Sequence, residues 1–156
     1  VAGRNNSNSV RKITPAGVVT TRSTAWPNNF MALAIEPLGR VYARTSANEL
    51  IFIDMTNGST SQIGSATVFT GGIASDSSGN IYATDFTGHR VYYQLTRAGN
   101  VAPTVYAGTG VAGSANGLAL SATFSGPYAI SVVPSGAFGG VYVGDYFNNS
   151  VRYIAP

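Results

Sequence analysis

Gly79-Asn80-Ile81-Tyr82-Ala83-Thr84-Asp85, followed after a short loop by His89-Arg90-Val91, decides the fold, because the chain writes this stretch more than once. A second clear copy is Gly139-Gly140-Val141-Tyr142-Val143-Gly144-Asp145, followed by Asn149-Ser150-Val151-Arg152-Tyr153-Ile154. A third, more altered copy is Gly39-Arg40-Val41-Tyr42-Ala43-Arg44, leading to Leu50-Ile51-Phe52-Ile53. A shortened fourth is Val1-Ala2-Gly3, a polar loop, and Val10-Arg11-Lys12-Ile13. Self-similarity at about 40 residues marks a repeat architecture, in which each unit buries its apolar side by stacking on the next. Such repeats announce a scaffold, and function is written in loops that vary between copies.

The 156 residues have the length of one domain with a real core. Charged residues make up only 10% of the chain, while Gly, Ser, Thr and Asn abound. That balance suits short strands and tight turns and disfavours long solvated helices. No run approaches the roughly 18–20 apolar residues of a membrane-spanning helix. The net charge of +3 comes from nine basic residues, eight of them Arg, scattered along the chain without a Lys/Arg run. This argues against nucleic acid as the partner. Cysteine is absent, so disulfides and thiolate metal sites are excluded. The Lys-poor, Asn/Ser/Thr-rich composition leans towards a secreted, periplasmic or cell-surface setting.

Four kinds of short strand recur in a fixed order, and no segment keeps a helical apolar period for long. The first is rich in small residues: Ala32–Ile35, Gly72–Ser75 and Tyr128–Val133. The second is the Val/Ile-Tyr strand that follows a turn glycine, Gly39, Gly79 or Gly136, where positive φ is cheap. The third comprises Val10–Ile13, Leu50–Ile53, Val91–Leu95 and Val151–Ile154; the fourth comprises Val18–Thr21 and Ala102–Ala107. Four antiparallel strands per repeat describe a β-propeller blade. The expected organisation is one propeller segment over 1–156, with whole blades at 24–66 and 67–118 and partial blades at 1–23 and 119–156. About 13 strands follow, in groups of two, four, four and three. An incomplete ring leaves blade faces or edges open, a liability that other blades must cover. Either a longer polypeptide supplies them, the favoured expectation, or other copies of the chain do.

Gly79–Asp85 with His89-Arg90-Val91, Gly139–Asp145 with Asn148–Arg152, and Asn8–Ile13 resemble the NHL-repeat family of β-propellers. That family's motif runs Gly-X-Ile/Val-Tyr-Val-X-Asp, a loop, then Asn-His-X-Ile/Val-Arg. The likeness spans essentially the whole chain and weakens around 30–66, where Thr45 stands at the expected Asp and Glu49 at the expected His. The resemblance implies a propeller whose role is binding, sensing, scaffolding, RNA recognition or lyase chemistry. Lyase-type relatives hold a channel metal with several His and carboxylates. This chain has one His, His89, and six acids: Glu36, Glu49, Asp54, Asp76, Asp85 and Asp145. Catalytic zinc sites draw on more His than that.

Asp85 and Asp145 are expected to fix the turns they enter by accepting backbone N–H bonds, and Gly39 and Gly79 to be structural turn residues. Gly108-X-Gly110-X-X-Gly113 spells a dinucleotide fingerprint but lacks the strand–turn–helix context that gives it meaning. The Gly/Ala/Ser stretch 108–125 reads as a flexible inter-blade connection without a fixed role, or else as a loop over a ligand. Binding is expected on a rim of loops carrying Arg4, Arg44, Phe86, His89, Tyr146, Phe147 and Asn148, with a protein or a glycan as partner. No catalytic residue, metal ligand or cofactor is expected. The leading function is a non-catalytic binding or assembly scaffold. A metal-dependent lyase or lactonase with ligands from other blades comes second, and a single-stranded RNA binder third.

Overall fold

The computed structural model describes residues 8–23, 26–37, 39–63, 68–94, 101–134, 136 and 139–156. Thirteen strands lie among them, in four antiparallel sheets. The first sheet pairs β1 (Val10–Ile13) with β2 (Val19–Ser23). The second runs β3 (Phe30–Ile35), β4 (Val41–Thr45), β5 (Leu50–Ile53) and β6 (Thr60–Gln62). The third runs β7 (Ile73–Ser75), β8 (Ile81–Asp85), β9 (Arg90–Gln94) and β10 (Thr104–Ala107). The fourth runs β11 (Pro127–Val133), β12 (Gly140–Asp145) and β13 (Ser150–Ile154). Each sheet lies in chain order, and β3, β7 and β11 pack side by side. These first strands are therefore innermost, and the sheets radiate from them as the blades of an incomplete β-propeller. The expected two, four, four, three grouping is what these strands form; β6, after the Asn57-Gly58 turn, is the one strand the sequence reading left unnamed.

Strand residues alternate sides, so each blade shows one side to the blade before it and the other to the blade after. Val41, Ala43, Ile51 and Ile53 face back and close a cluster with Val10 and Phe30. Tyr42, Leu50 and Ala34 face forward and meet Phe69, Ile73, Ile81, Ala83 and Tyr92. Val91 and Ala107 face forward and meet Ala122, Phe124, Val141, Val143 and Ile154. The core is thus a series of blade junctions. A directly opposed aromatic pair braces the second and third strand of three blades: Tyr42–Phe52, Tyr82–Tyr93 and Tyr142–Tyr153. Their ring centroids lie 5.9, 5.0 and 5.1 Å apart, a separation at which tilted rings attract. Burial, helped by Tyr106, Asp76 and Tyr93, pushes the Tyr82 hydroxyl up to about 12.

The stretch after β10 departs from the expectation of a flexible connection. Gly108 and Thr109 donate to the carbonyls of Ala119 and Ala122, Gly113 donates to Phe124, and Thr123 donates to Ala115. Ala112 and Phe124 form a parallel bridge. The loop folds on itself because its small residues let two backbone runs approach closely enough to bond. No helix follows Gly108–Gly113, so the fingerprint reading stays discarded. Among the described residues no helix is long and apolar enough to cross a membrane.

Candidate functional site

The turns between second and third strands lie at one end of the blades, beside the segments that lead into each innermost strand. Asp85 pairs across the ladder with Arg90, and Asp145 with Ser150. In the β4–β5 blade Arg44 pairs with Leu50, and Thr45 N–H donates to the Glu49 carbonyl. That turn is therefore one residue shorter. The last turn residue is left-handed in every case, with φ of 61° at Asn48, 54° at His89 and 49° at Asn149. Asn48, not Glu49, is thus the counterpart of His89, which corrects the alignment by position. Asn and His are among the side chains that tolerate this conformation.

One carboxylate ties each turn to the segment leading into its own blade. Asp85 Oδ1 accepts from Gly88 N–H at 2.9 Å, from the Thr87 hydroxyl at 3.1 Å and from the Thr70 hydroxyl at 2.9 Å. Asp145 Oδ1 accepts from Ser125 N–H at 2.6 Å. Its Oδ2 accepts from Asn148 Nδ2 at 2.7 Å and Arg152 Nη1 at 3.0 Å. In the β4–β5 blade, where Thr45 replaces the Asp, Glu49 Oε2 does the same work. It accepts from Trp26 Nε1 and Asn28 Nδ2, both at 2.9 Å, and from the Thr45 hydroxyl at 2.8 Å. The Trp26 indole, with Asn28 and Thr45, holds the Glu49 carboxyl below its ordinary value against the opposing cost of burial.

These ties build an aromatic platform. His89 Nδ1 accepts from Gly126 N–H at 3.1 Å, so the β8–β9 turn grips the segment that opens β11. Gly126, at φ 65°, returns its carbonyl to Tyr146 N–H, and a Cβ there would strike the Phe86 and Phe147 rings. The Tyr128 carbonyl accepts from the Thr84 hydroxyl and Gly72 N–H, both at 2.7 Å. Phe86 then lies 5.9 Å from Tyr128, 6.0 Å from Tyr146 and 5.4 Å from Phe147, centroid to centroid. The four rings line a shallow depression of about 470 Å³. Tyr128, Tyr146 and Phe147 are 50%, 63% and 59% exposed. A second hollow of about 310 Å³ adjoins it along Tyr128, Gly144, Asn149, Ser150 and Val151. Asp145 is the one carboxylate against either hollow, and both of its oxygens are already bonded. The platform itself is made of rings alone, and its edge carries neutral polar groups and the ion-paired Asp145.

The residues expected on the rim divide. Phe86, Tyr146 and Phe147 come together. Arg44 does not join them: it is buried, with Nη1 on the Asn48 amide oxygen at 3.2 Å, because the shortened turn folds over it. His89 and Asn148 lie beside the platform as ties, Asn148 Nδ2 also bonding the Gly113 carbonyl at 2.8 Å. Arg4 lies outside the described residues. Gly39 and Gly79 occupy hairpin turns at φ 83° and 84°. Tyr128 is the residue that sequence reasoning passed over. It stands second in β11, where the equivalent places hold Met31 and Gly71, and that break in the repeat was the available signal. Among the described residues, no three of His, Asp and Glu gather as a metal site would require.

No family model matches the chain, and no curated protein sequence does. Solved structures do match. The chain is similar to an auxiliary nutrient binding protein from Bacteroides thetaiotaomicron, at 18% identity and a TM-score of 0.76, over 97% of this chain and 40% of that one. It is similar to virginiamycin B lyase from Staphylococcus aureus, at 14% identity and a TM-score of 0.64, over 96% of this chain and 46% of that one. A streptogramin B lyase superposes at 19% identity and a TM-score of 0.66, over 96% and 45%. What these share with the chain is the β-propeller fold, and the chain spans less than half the length of each.

Proposed function

We propose that the chain is the binding part of a non-catalytic, NHL-type propeller whose ligand seat is the platform of Phe86, Tyr128, Tyr146 and Phe147. The observation that carries this reading is where the rings stand. Residues that recur in every blade build the scaffold, whereas Tyr128 and Phe147 occupy places where the preceding blade has Gly71 and Thr87. Exposed rings cost solvation unless a partner covers them, and large aromatic side chains dominate binding surfaces. The neutral surroundings favour an uncharged partner face, either a neutral glycan or an apolar protein surface, and disfavour nucleic acid. Blades at 24–66 and 67–118, and a secreted, periplasmic or cell-surface setting, belong to the same reading. A panel of neutral polysaccharides and of proteins, tested for retention on the immobilised chain, addresses it. A retained partner should bind Tyr128→Ala/Phe147→Ala about tenfold or more weakly, with thermal stability unchanged. Retention that survives both substitutions would refute the reading.

The likeness to streptogramin-type lyases supports a second reading, an enzyme whose ligands come from several blades. One of those neighbours is a catalytically inactive histidine-to-alanine variant with quinupristin. The single His of this chain has its Nδ1 engaged by Gly126. Stoichiometric, tightly held metal in the purified protein would favour the enzyme.

A further inference from the structure

Two Asn-Gly pairs occur in the chain, Asn57-Gly58 and Asn116-Gly117. In such a pair the glycine nitrogen reaches the side-chain carbonyl carbon of the asparagine with little hindrance, because no Cβ stands in the way. The structure places the two pairs in opposite surroundings. Asn57 lies in the turn between β5 and β6, where Gly58 N–H donates to the Asp54 carbonyl at 2.8 Å. A Cβ on Gly58 would strike the Arg22 carbonyl of β2, so this glycine is hemmed in as well as bonded. Asn57 Oδ1 accepts from Ser59 N–H at 2.8 Å, and the charged group that the Asn57 side chain bonds is the Asp54 carboxylate. Attack by the Gly58 nitrogen would break a hydrogen bond and build negative charge beside a negative group.

Asn116-Gly117 is exposed in the 108–125 segment. Apart from its chain neighbours, nothing lies within 4 Å of where a Gly117 Cβ would stand. Among the described residues the Gly117 N–H has no hydrogen-bond partner. Arg152 Nη2 donates to Asn116 Oδ1 at 2.8 Å and to the Ala115 carbonyl at 3.0 Å. A guanidinium only donates, so this contact fixes the amide oxygen of Asn116 towards the cation. The Nη1 side of the same group meets Asp145 at 3.0 Å. Nη2 thus draws electron density from Asn116 Cγ and stands where an oxyanion forms when that carbon is attacked.

We propose that Asn116-Gly117 is a self-modification site, at which Arg152 activates the asparagine amide for closure to a succinimide. Solvent base takes the proton of the Gly117 nitrogen, the N–Cγ bond forms, and the Cγ–Nδ2 bond breaks with release of ammonia. Water then opens the ring. Opening at Cγ gives aspartate. Opening at the main-chain carbonyl carbon gives isoaspartate, with the backbone routed through the side chain and one methylene longer. Aspartate faces Arg152 and keeps the segment closed. Isoaspartate displaces the bonds beside position 116, in which the Ala115 carbonyl accepts from Arg152 and from Thr123 N–H, and so loosens the segment. Asn116 is not among the platform's residues, so the inference stands apart from the ligand reading.

Native chain and chain unfolded in urea, held side by side at mildly alkaline pH, are compared by peptide mapping that separates asparagine, aspartate and isoaspartate. In the native chain the products should build up at 116 about tenfold or more faster than at 57. Unfolding should bring the two pairs to similar rates, because only the dipeptide remains. Asn116→Gln, whose closure needs a larger ring, should abolish the native product at 116 and leave the slow reaction at 57. Arg152→Gln should slow closure at 116. A merely structural arginine would give the opposite, since a looser segment reacts more freely, so a faster or unchanged rate overturns activation by the cation. Native rates that are equal, or faster at 57, overturn the proposal, as does a native chain left intact at 116 while the unfolded one reacts. Amide exchange separates the products: the isoaspartate form should exchange faster over 113–123 than Asn116→Asp, and equal exchange would overturn the loosening.

Discussion

Glu49 shows how a repeat keeps its function after losing its motif. Read by position, the β4–β5 turn lacks both the Asp and the His of its siblings. In space, the turn has lost one residue, and the carboxylate has moved from the end of the second strand to the start of the third. Its bonds to Trp26, Asn28 and Thr45 still fasten the turn to the segment leading into the blade. This has a pH signature. The folded carboxyl titrates below its ordinary value of 4.5, so the stability it contributes is full above that value. That contribution is lost as pH falls through the depressed folded value. Glu49→Gln should therefore be less stable than the parent at neutral pH, and the gap in melting temperature should close as pH drops below 4.5. A gap that stays constant into acid would show that the charge contributes nothing. The composition of the turn was legible in the sequence; the one-residue deletion was not, because it appears only in which residues pair across the ladder.

The segment from Gly108 to Ser125 is the element whose sequence misled. Gly, Ala and Ser signal backbone freedom, yet here they permit a close backbone fold that Arg152 locks. The guanidinium donates from Nη1 to the Thr123 carbonyl and Asp145, and from Nη2 to the Ala115 carbonyl and the Asn116 amide oxygen. It also lies 5.1 Å above the Phe124 ring. Its Asp145 partner is fully buried. Arg152→Met should cost about 3 kcal/mol in urea unfolding, mainly by leaving that carboxylate without its cation. Amide exchange at residues 113–123 should quicken in the same variant. Unchanged exchange there would mean the backbone bonds alone hold the segment. The strands were legible because alternation and the turn glycines act locally. The lock was hidden because Arg152 reaches residues 29 to 37 positions away.

Across the whole molecule, the same residue in the same blade position has different worth according to what stands next to it. Val91 is fully covered by the last blade, whereas Val151 is open. Val91→Asp should lower unfolding free energy by about 4 kcal/mol or more, since it places a carboxylate in an apolar junction. Val151→Asp, measured in dilute solution, should shift it by no more than about 0.5 kcal/mol. Equal losses would mean that the two faces are covered alike under those conditions.

By itself the sequence determined the repeat, the strand order within each blade and the two-sided character of every strand. These follow from local rules: a period of two, glycines at turns that require positive φ, and a recurring Tyr that braces its neighbour. Only the tertiary structure decided which varying residues meet. It buried Arg44, spent His89 and Asn148 on ties, and gathered Tyr128 with Phe86, Tyr146 and Phe147 into one exposed platform. The physical reason is that a blade's side chains are placed by its neighbours across the junction, through contacts between residues far apart in the chain, which the repeat pattern does not record.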